Sequence, residues 1–301
     1  MKKRLITGIL YVAVLVGFFF LRMVDSRLFG ILIYAFGILG TYEMVRAVSE
    51  VRRDSDGNSI PPAIPMSVSQ KAVVWVYALI NVPLYYLVEF LAGGSGTQAL
   101  LGLFLVFAVV CLSLLVLDYH RTTLAGTGAA LLCGLYPTAI LSTMVFANGM
   151  GTSSTLALLL IFVISPVADT FAFVTGSLLK GKKMCPQISP NKTVSGCVGG
   201  VVFGTGSAVL LYWLYTLITE YVYTGIGSGW AGAPWLFFAL LGLATSVFTE
   251  FGDLVESIIK RRLGIKDMGK LLPGHGGILD RIDGTLYASL IVYFAFLIFV
   301  I

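Results

Sequence analysis

Three acidic residues, Glu250, Asp253 and Glu256, recur at three-residue intervals in a stretch that is otherwise free of charge. On a helix that spacing puts them within about 120° of one face. Carboxylates crowded in this way repel one another, and a cation would relieve the repulsion. Asp280 and Asp283 stand three residues apart at the start of another apolar run, and Asp169 sits within a third, in Ser-Pro-Val-Ala-Asp-Thr. An acid inside a bilayer costs about 2.5 to 3.5 kcal/mol on insertion scales, so it tends to face a polar cavity and mark function. Asp280 and Asp283, with Asp253, can supply hard oxygen ligands for Mg²⁺. The alternative reading is that these acids pair with nearby cations, notably Lys260, and hold helices together. Glu43 and Glu89 lie close to span ends and read as structural or interfacial.

Between the two acidic groups runs Ser257-Ile-Ile-Lys260-Arg261-Arg-Leu-Gly-Ile-Lys266-Asp267-Met-Gly269-Lys270-Leu-Leu-Pro273-Gly274-His275-Gly276-Gly277-Ile-Leu-Asp280-Arg281-Ile-Asp283. It is a basic stretch, then a glycine-rich turn, then paired carboxylates. Glycines let backbone amides approach phosphate oxygens, and Lys and Arg neutralise phosphate charge. Gly176-Ser-Leu-Leu-Lys-Gly181-Lys182-Lys183 nearly spells a P-loop. That motif needs Ser or Thr where Lys183 stands and a preceding strand, whereas an apolar helix is expected here. Its basic cluster reads as a cytoplasmic anchor or an anion funnel.

The elements that must position these groups are membrane helices. Of 301 residues 57% are hydrophobic and 12% charged, and the mean hydropathy is +0.93, which excludes a water-soluble fold. Charged and Gly/Pro-rich breaks divide the chain into about nine spans, near 4–22, 27–48, 72–92, 98–118, 124–147, 155–179, 196–220, 233–258 and 284–301. The expected fold is therefore all-α, a polytopic integral membrane protein. With the N-terminus cytoplasmic, only Arg22 and Arg27 among the basic residues fall outside, which favours that orientation. Met1-Lys2-Lys3-Arg4 before an apolar run imitates a signal peptide, but no small-residue cleavage site follows before Arg22, so a retained first helix is expected.

Residues 1–150 read as N-terminal transmembrane helices, a scaffold with possible dimer contacts. Residues 151–301 read as a catalytic region with cytoplasmic loops 180–195 and 259–283. The stretch 51–70 reads as a flexible connector. Gly196, Gly200 and Gly204 form a small-residue stripe suited to close helix approach, within the chain or in a dimer. Cys111, Cys133, Cys185 and Cys197 are too few and scattered for a disulfide framework or a zinc site.

The segment from Ser257 through Lys260-Arg261, Lys266-Asp267 and His275-Gly276-Gly277 to Asp280-Arg281 and Asp283 resembles the signature of the phosphatidate cytidylyltransferases. Asp169-Thr170-Phe-Ala-Phe-Val-Thr-Gly176 and Ile188-Ser189-Pro190-Asn191-Lys192-Thr193-Val-Ser195-Gly196 also look like motifs of that family. The second departs from the familiar form at Asn191 and at Val194-Ser195. The motifs cover roughly 160–285.

The resemblance implies attack by the phosphate of phosphatidate on the α-phosphorus of CTP, giving CDP-diacylglycerol and pyrophosphate at the cytoplasmic face. Asp253 and Asp280 are then expected as metal ligands, with Asp283 and Asp169 as further candidates. The ion would be Mg²⁺, with or without a monovalent cation such as K⁺. Lys260, Arg261, Lys266 and Arg281 are expected on phosphates, with Ser189, Lys192, Thr193, Ser257, Gly276 and Gly277 also contacting substrate. His275 either donates to a phosphate oxygen or only shapes the turn, and Asp267 beside Lys266 either acts or merely pairs with it. Membrane lipids and a second copy of the chain in a homodimer are the expected partners, with no nucleic acid, and a bacterial inner membrane is the expected location. The rival readings are another CTP-using lipid enzyme, a polyprenol kinase or a CDP-archaeol synthase, and a membrane transporter.

Overall fold

A computed structural model describes residues 2–53, 59–219, 233–274 and 276–300. Among them are nine helical spans long and apolar enough to cross a membrane. In hydrocarbon every backbone amide must find a partner within its own segment, so apolar runs of this length become helices. They are α1 (Lys2–Val24), α2 (Ser26–Ser49), α3 (Val68–Ala92), α4 (Gly96–Leu117), the joined pair α5 (Leu124–Cys133) and α6 (Ile140–Asn148), α7 (Ser154–Leu179), α8 (Val194–Thr219), α9 (Pro234–Arg262) and α10 (Leu279–Phe299).

The expected spans are all found, and the differences lie at their ends. Helix α9 continues past the apolar run through Lys260, Arg261 and Arg262, and α10 begins early enough to include Asp280 and Asp283. A helix end favours basic side chains at its carbonyls and acidic ones at its amides, so these charges extend the helices instead of ending them. Between α5 and α6 the chain adopts a π-helical stretch, Gly134–Ala139, around Pro137, whose missing N–H cannot serve the regular ladder. Two short antiparallel hairpins were not foreseen. One pairs β1 (Arg52–Arg53) with β2 (Ser59–Ile60), and the other pairs β3 (Lys183–Cys185) with β4 (Ser189–Thr193).

The chain divides into two compact units. The first comprises Met1–Val145 and Leu263–Arg281, the second Phe146–Arg262 and Ile282–Ile301. In the first, Phe29, Ile33, Met44, Leu141 and Met144 are fully buried, and Tyr77 stacks on Phe107 at 4.4 Å. Polar pairs also tie its helices together: Thr41 shares a hydrogen bond with Thr138 at 2.8 Å, and Gln70 donates to Thr127 at 2.9 Å. Such pairs hold helices where lipid offers no hydrophobic driving force between them.

In the second unit the stripe Gly196, Gly200 and Gly204 is buried within the chain. A methyl group on Gly196 or Gly200 would meet the carbonyl oxygen of Ala172 or Ala168 on α7, and one on Gly204 would meet Ser246 on α9. The stripe thus serves intramolecular packing of α8 against α7 and α9. Likewise a side chain on Gly252 of α9 would press on the backbone of Asp283 and Gly284 and on the Tyr287 ring of α10. Phe238 and Phe296 fill the remaining interior, with Tyr212 stacked on Phe238 at 4.2 Å.

Candidate active site

The carboxylates of α9 are not unpaired. The strand β4 delivers Lys192, whose Nζ lies 2.7 Å from Glu250 Oε2 and 2.7 Å from Asp253 Oδ2. The same ammonium donates to the Glu250 carbonyl at 3.2 Å. One turn on, Lys260 Nζ donates to Glu256 Oε2 at 2.5 Å, an i,i+4 pair. The expectation of three mutually repelling acids therefore needs correcting: two lysines, one from the hairpin and one from the helix itself, enter the row.

Burial gives these pairs weight. The side chains of Glu256 and Glu250 are 0% and 4% exposed, and that of Lys192 is 16% exposed. Burial alone would lower the Lys192 ammonium, but the attraction and hydrogen bonds of Asp253 and Glu250 outweigh it and hold the group above the ordinary lysine value. Lys192 is therefore a fixed positive charge.

Asp253, Glu256 and Asp283 converge, each offering one oxygen within 4.8 Å of the others. Close packing at Gly252 brings α10 near enough for Asp283 to join the α9 acids. Four carboxylates, Glu250, Asp253, Glu256 and Asp283, face two ammonium groups, Lys192 and Lys260, in this connected network. That leaves a formal deficit of two positive charges. An all-oxygen donor set with that deficit fits a hard divalent cation. Asp169 on α7 is within electrostatic reach of Asp283, Asp253, Glu250 and Lys192.

Other expected residues of the second unit shape the ground around this cluster. Thr193 Oγ1 accepts the Gly196 amide at 3.1 Å and so caps α8. Ser189 pairs with Cys185 across the hairpin, and Arg261 Nε donates to the Ile188 carbonyl at 3.2 Å, tying the end of α9 to the hairpin. Ser257 is buried on α9. The near-P-loop is not a phosphate loop: Gly176 lies inside α7, against Thr193 and Gly196.

In the first unit, Asp280 Oδ2 accepts the amides of Met268 at 2.9 Å and Gly277 at 2.8 Å, folding the glycine-rich loop onto the start of α10. Leu272 donates to the Gly276 carbonyl at 2.9 Å, and Gly276 has φ +85°, a backbone state that a side chain would strain. Lys266 and Arg281 are exposed. His275 lies outside the described residues.

Two acids outside the expected ligand set are also buried. Glu256 stands in the row of acids with pairing to Lys260 as its alternative reading, and that pair, signalled by the four-residue offset, is present. Glu43 reads as structural or interfacial, and it is 3% exposed and accepts the amides of Ile278 at 3.0 Å and Leu279 at 2.9 Å. A lone acid in an apolar helix is the only local signal for it.

Comparison with known proteins bears on this arrangement. The model of the cytidylyltransferase family matches residues 2–299. A phosphatidate cytidylyltransferase of Bacillus subtilis (strain 168) is 30% identical over 299 residues, 99% of this chain and 98% of that protein. Another, of Mycobacterium tuberculosis (strain ATCC 25618 / H37Rv), is 31% identical over 261 residues, 83% of this chain and 70% of its own length. A third, of Brucella abortus (strain 2308), is 38% identical over 133 residues, 44% of each chain.

Proposed function

The chain belongs to the cytidylyltransferase family, and from that premise we propose that it transfers the cytidylyl group of CTP to phosphatidate in a membrane, which the nine spans among its described residues are long and apolar enough to cross. A phosphate oxygen of phosphatidate attacks the α-phosphorus of CTP. The bond from that phosphorus to the bridging oxygen of the β-phosphate breaks, and CDP-diacylglycerol and pyrophosphate are the products. The observation that carries the reading is the convergence of Asp253, Glu256 and Asp283 beside Lys192 and Lys260 in a chain of this family.

The second pKa of a phosphate monoester is about 6, so the nucleophile is mostly dianionic at neutral pH and needs no strong general base. The barrier is the approach of two polyanions, which positioning and fixed positive charge lower. Asp253, Glu256 and Asp283 would hold a divalent cation, proposed as Mg²⁺, which when bound supplies charge neutralisation on phosphate oxygens. Lys192 orients Asp253 for that task, and Lys260 does the same for Glu256. Asp169, of the same unit, stays in this proposal as a further ligand, and Asp280 of the first unit stays as a candidate ligand considered by itself.

Lys260 and Arg261 in the second unit, and Lys266 and Arg281 in the first, are the proposed phosphate partners, joined by Ser189, Lys192, Thr193, Ser257, Gly276 and Gly277. The basic loops support a cytoplasmic working face and a bacterial inner membrane. Residues 151–301 are proposed to carry the chemistry on the scaffold of 1–150. A homodimer would show as a particle of twice the chain's mass in light scattering.

The test is the purified chain in lipid nanodiscs with labelled CTP and phosphatidate. Equal amounts of CDP-diacylglycerol and pyrophosphate, abolished by chelation and restored by Mg²⁺, are expected. Turnover with a polyprenol or an archaeal lipid in place of phosphatidate, and none with phosphatidate, would overturn the assignment.

A further inference from the structure

The glycine-rich loop of the first unit is fastened by two carboxylates, and only Asp280 is local to it. The other, Glu43, comes from α2, separated from its partners Ile278 and Leu279 by 235 and 236 residues. Its two oxygens take one amide each at the start of α10. Those amides are among the orphan donors of a helix N-terminus, where negative charge is also favoured by the helix dipole. With Met268 and Gly277 donating to Asp280, four amides of the loop are committed to two carboxylates.

The approach is tight. At both Gly269 and Gly277 a side chain would fall on the Glu43 carboxylate, so the acid reaches the amides only because glycine stands at each place. A local Ser or Asn would cap α10 equally well. An acid from another helix does something more, because it ties the loop to α2. About one to two turns beyond Glu43, Arg46, Ala47 and Glu50 line a cavity of about 550 Å³ that Lys266, Asp267, Gly269 and Lys270 also line. Glu43 lies against Gly269, one of the residues lining this charged cavity, and ties the loop to α2 beside it.

We propose that Glu43 is a positioning residue for cytidylyl transfer: by fixing Ile278 and Leu279 it sets where the loop presents Lys266, Gly276, Gly277 and Arg281 to phosphate. The inference rests on the proposed function. Groups that neutralise charge in the transition state lose rate when misplaced by about an ångström, with less effect on ground-state binding.

The experiment compares Glu43→Gln with Glu89→Gln in the full chain in nanodiscs, with kcat and KM for CTP measured per folded protein. Glu89 is the matched control, because it accepts the amides of Gly94 at 2.8 Å and Gly96 at 2.9 Å at the start of α4, away from the signature loop. Glu43→Gln is expected to lower kcat at least tenfold with KM for CTP changed less than threefold, while Glu89→Gln keeps kcat within twofold. Equal kcat in the two variants would reduce Glu43 to a helix cap and overturn the proposal. If Glu43→Gln yields no folded protein, Gly269→Ala is read in its place, since it strikes the same contact and leaves the carboxylate present. A normal kcat in Gly269→Ala then overturns the proposal. Absence of CTP-dependent activity in the parent chain would count against the proposed function itself.

Discussion

The ammonium of Lys192 lies 2.7 Å from the carboxylate of Asp253. Its second partner, Glu250, is equally close and almost wholly buried, so one cation from a surface hairpin satisfies two acids of a membrane helix. Removing the cation leaves Glu250, 4% exposed, as a charge almost without water, whereas Asp253 is 31% exposed. Lys192→Met should therefore destabilise the protein by about 3 kcal/mol or more and lower kcat at least a hundredfold. Thermal unfolding in nanodiscs and single-turnover assays check the two halves separately.

Lys192 also predicts a pH profile. Its value in the folded protein is raised above the ordinary 10.5, so the stability it contributes is fully present below that pH and is lost only as pH rises through the folded value. Melting temperatures of the parent and Lys192→Met should differ by a constant amount from neutral pH to about pH 9 and converge only in stronger alkali. A difference that collapses near pH 8 would show that the pair is not formed.

Metal binding separates the converging acids from the rest. Asp253→Asn, Glu256→Gln and Asp283→Asn should each raise the Mg²⁺ concentration for half-maximal activity at least tenfold, an effect typical of lost ligands or their immediate supports. Binding of Mn²⁺ followed by electron paramagnetic resonance gives a readout free of turnover. Asp280→Asn in the same titration tests whether the loop carboxylate also serves the ion.

Packing of α9 on α10 is expected to be as exacting as the chemistry. A methyl group at Gly252 would lie 2.7 Å from the Asp283 carbonyl oxygen and 2.8 Å from the Tyr287 ring. Gly252→Ala should cost about 1 to 3 kcal/mol through overpacking and should weaken Mn²⁺ binding by displacing Asp283. Unchanged melting and binding together would contradict the close contact.

The helices were legible because hydropathy alone selects them, and the acids of α9 and α10 were legible because charge in a span is conspicuous. What the sequence withheld was pairing between segments far apart in the chain. Nothing near Lys192 announces that it will meet Glu250 and Asp253, since the contact depends on a hairpin whose strands lack an alternating apolar pattern. Glu43 illustrates the same limit: its partners are backbone amides, which every residue but proline possesses, so no residue type marks them. Asp280 combines the two cases. Its signature position suggests metal, while the two loop amides that its Oδ2 also accepts have no mark in the sequence.

The Lys192 clamp has a consequence for biogenesis. As α9 leaves the ribosome it carries Glu250, Asp253 and Glu256, and an acid near the centre of a span is penalised by about 2.5 to 3.5 kcal/mol at a translocon's lateral gate. Lys192 precedes Glu250 by 58 residues, so its neutralising charge is synthesised before the acidic helix. Glycosylation mapping should find α9 inserting efficiently behind the β3–β4 hairpin and poorly when Lys192 is replaced by methionine. The order in which the chain is made thus lets a costly segment enter lipid with its counter-ion ready.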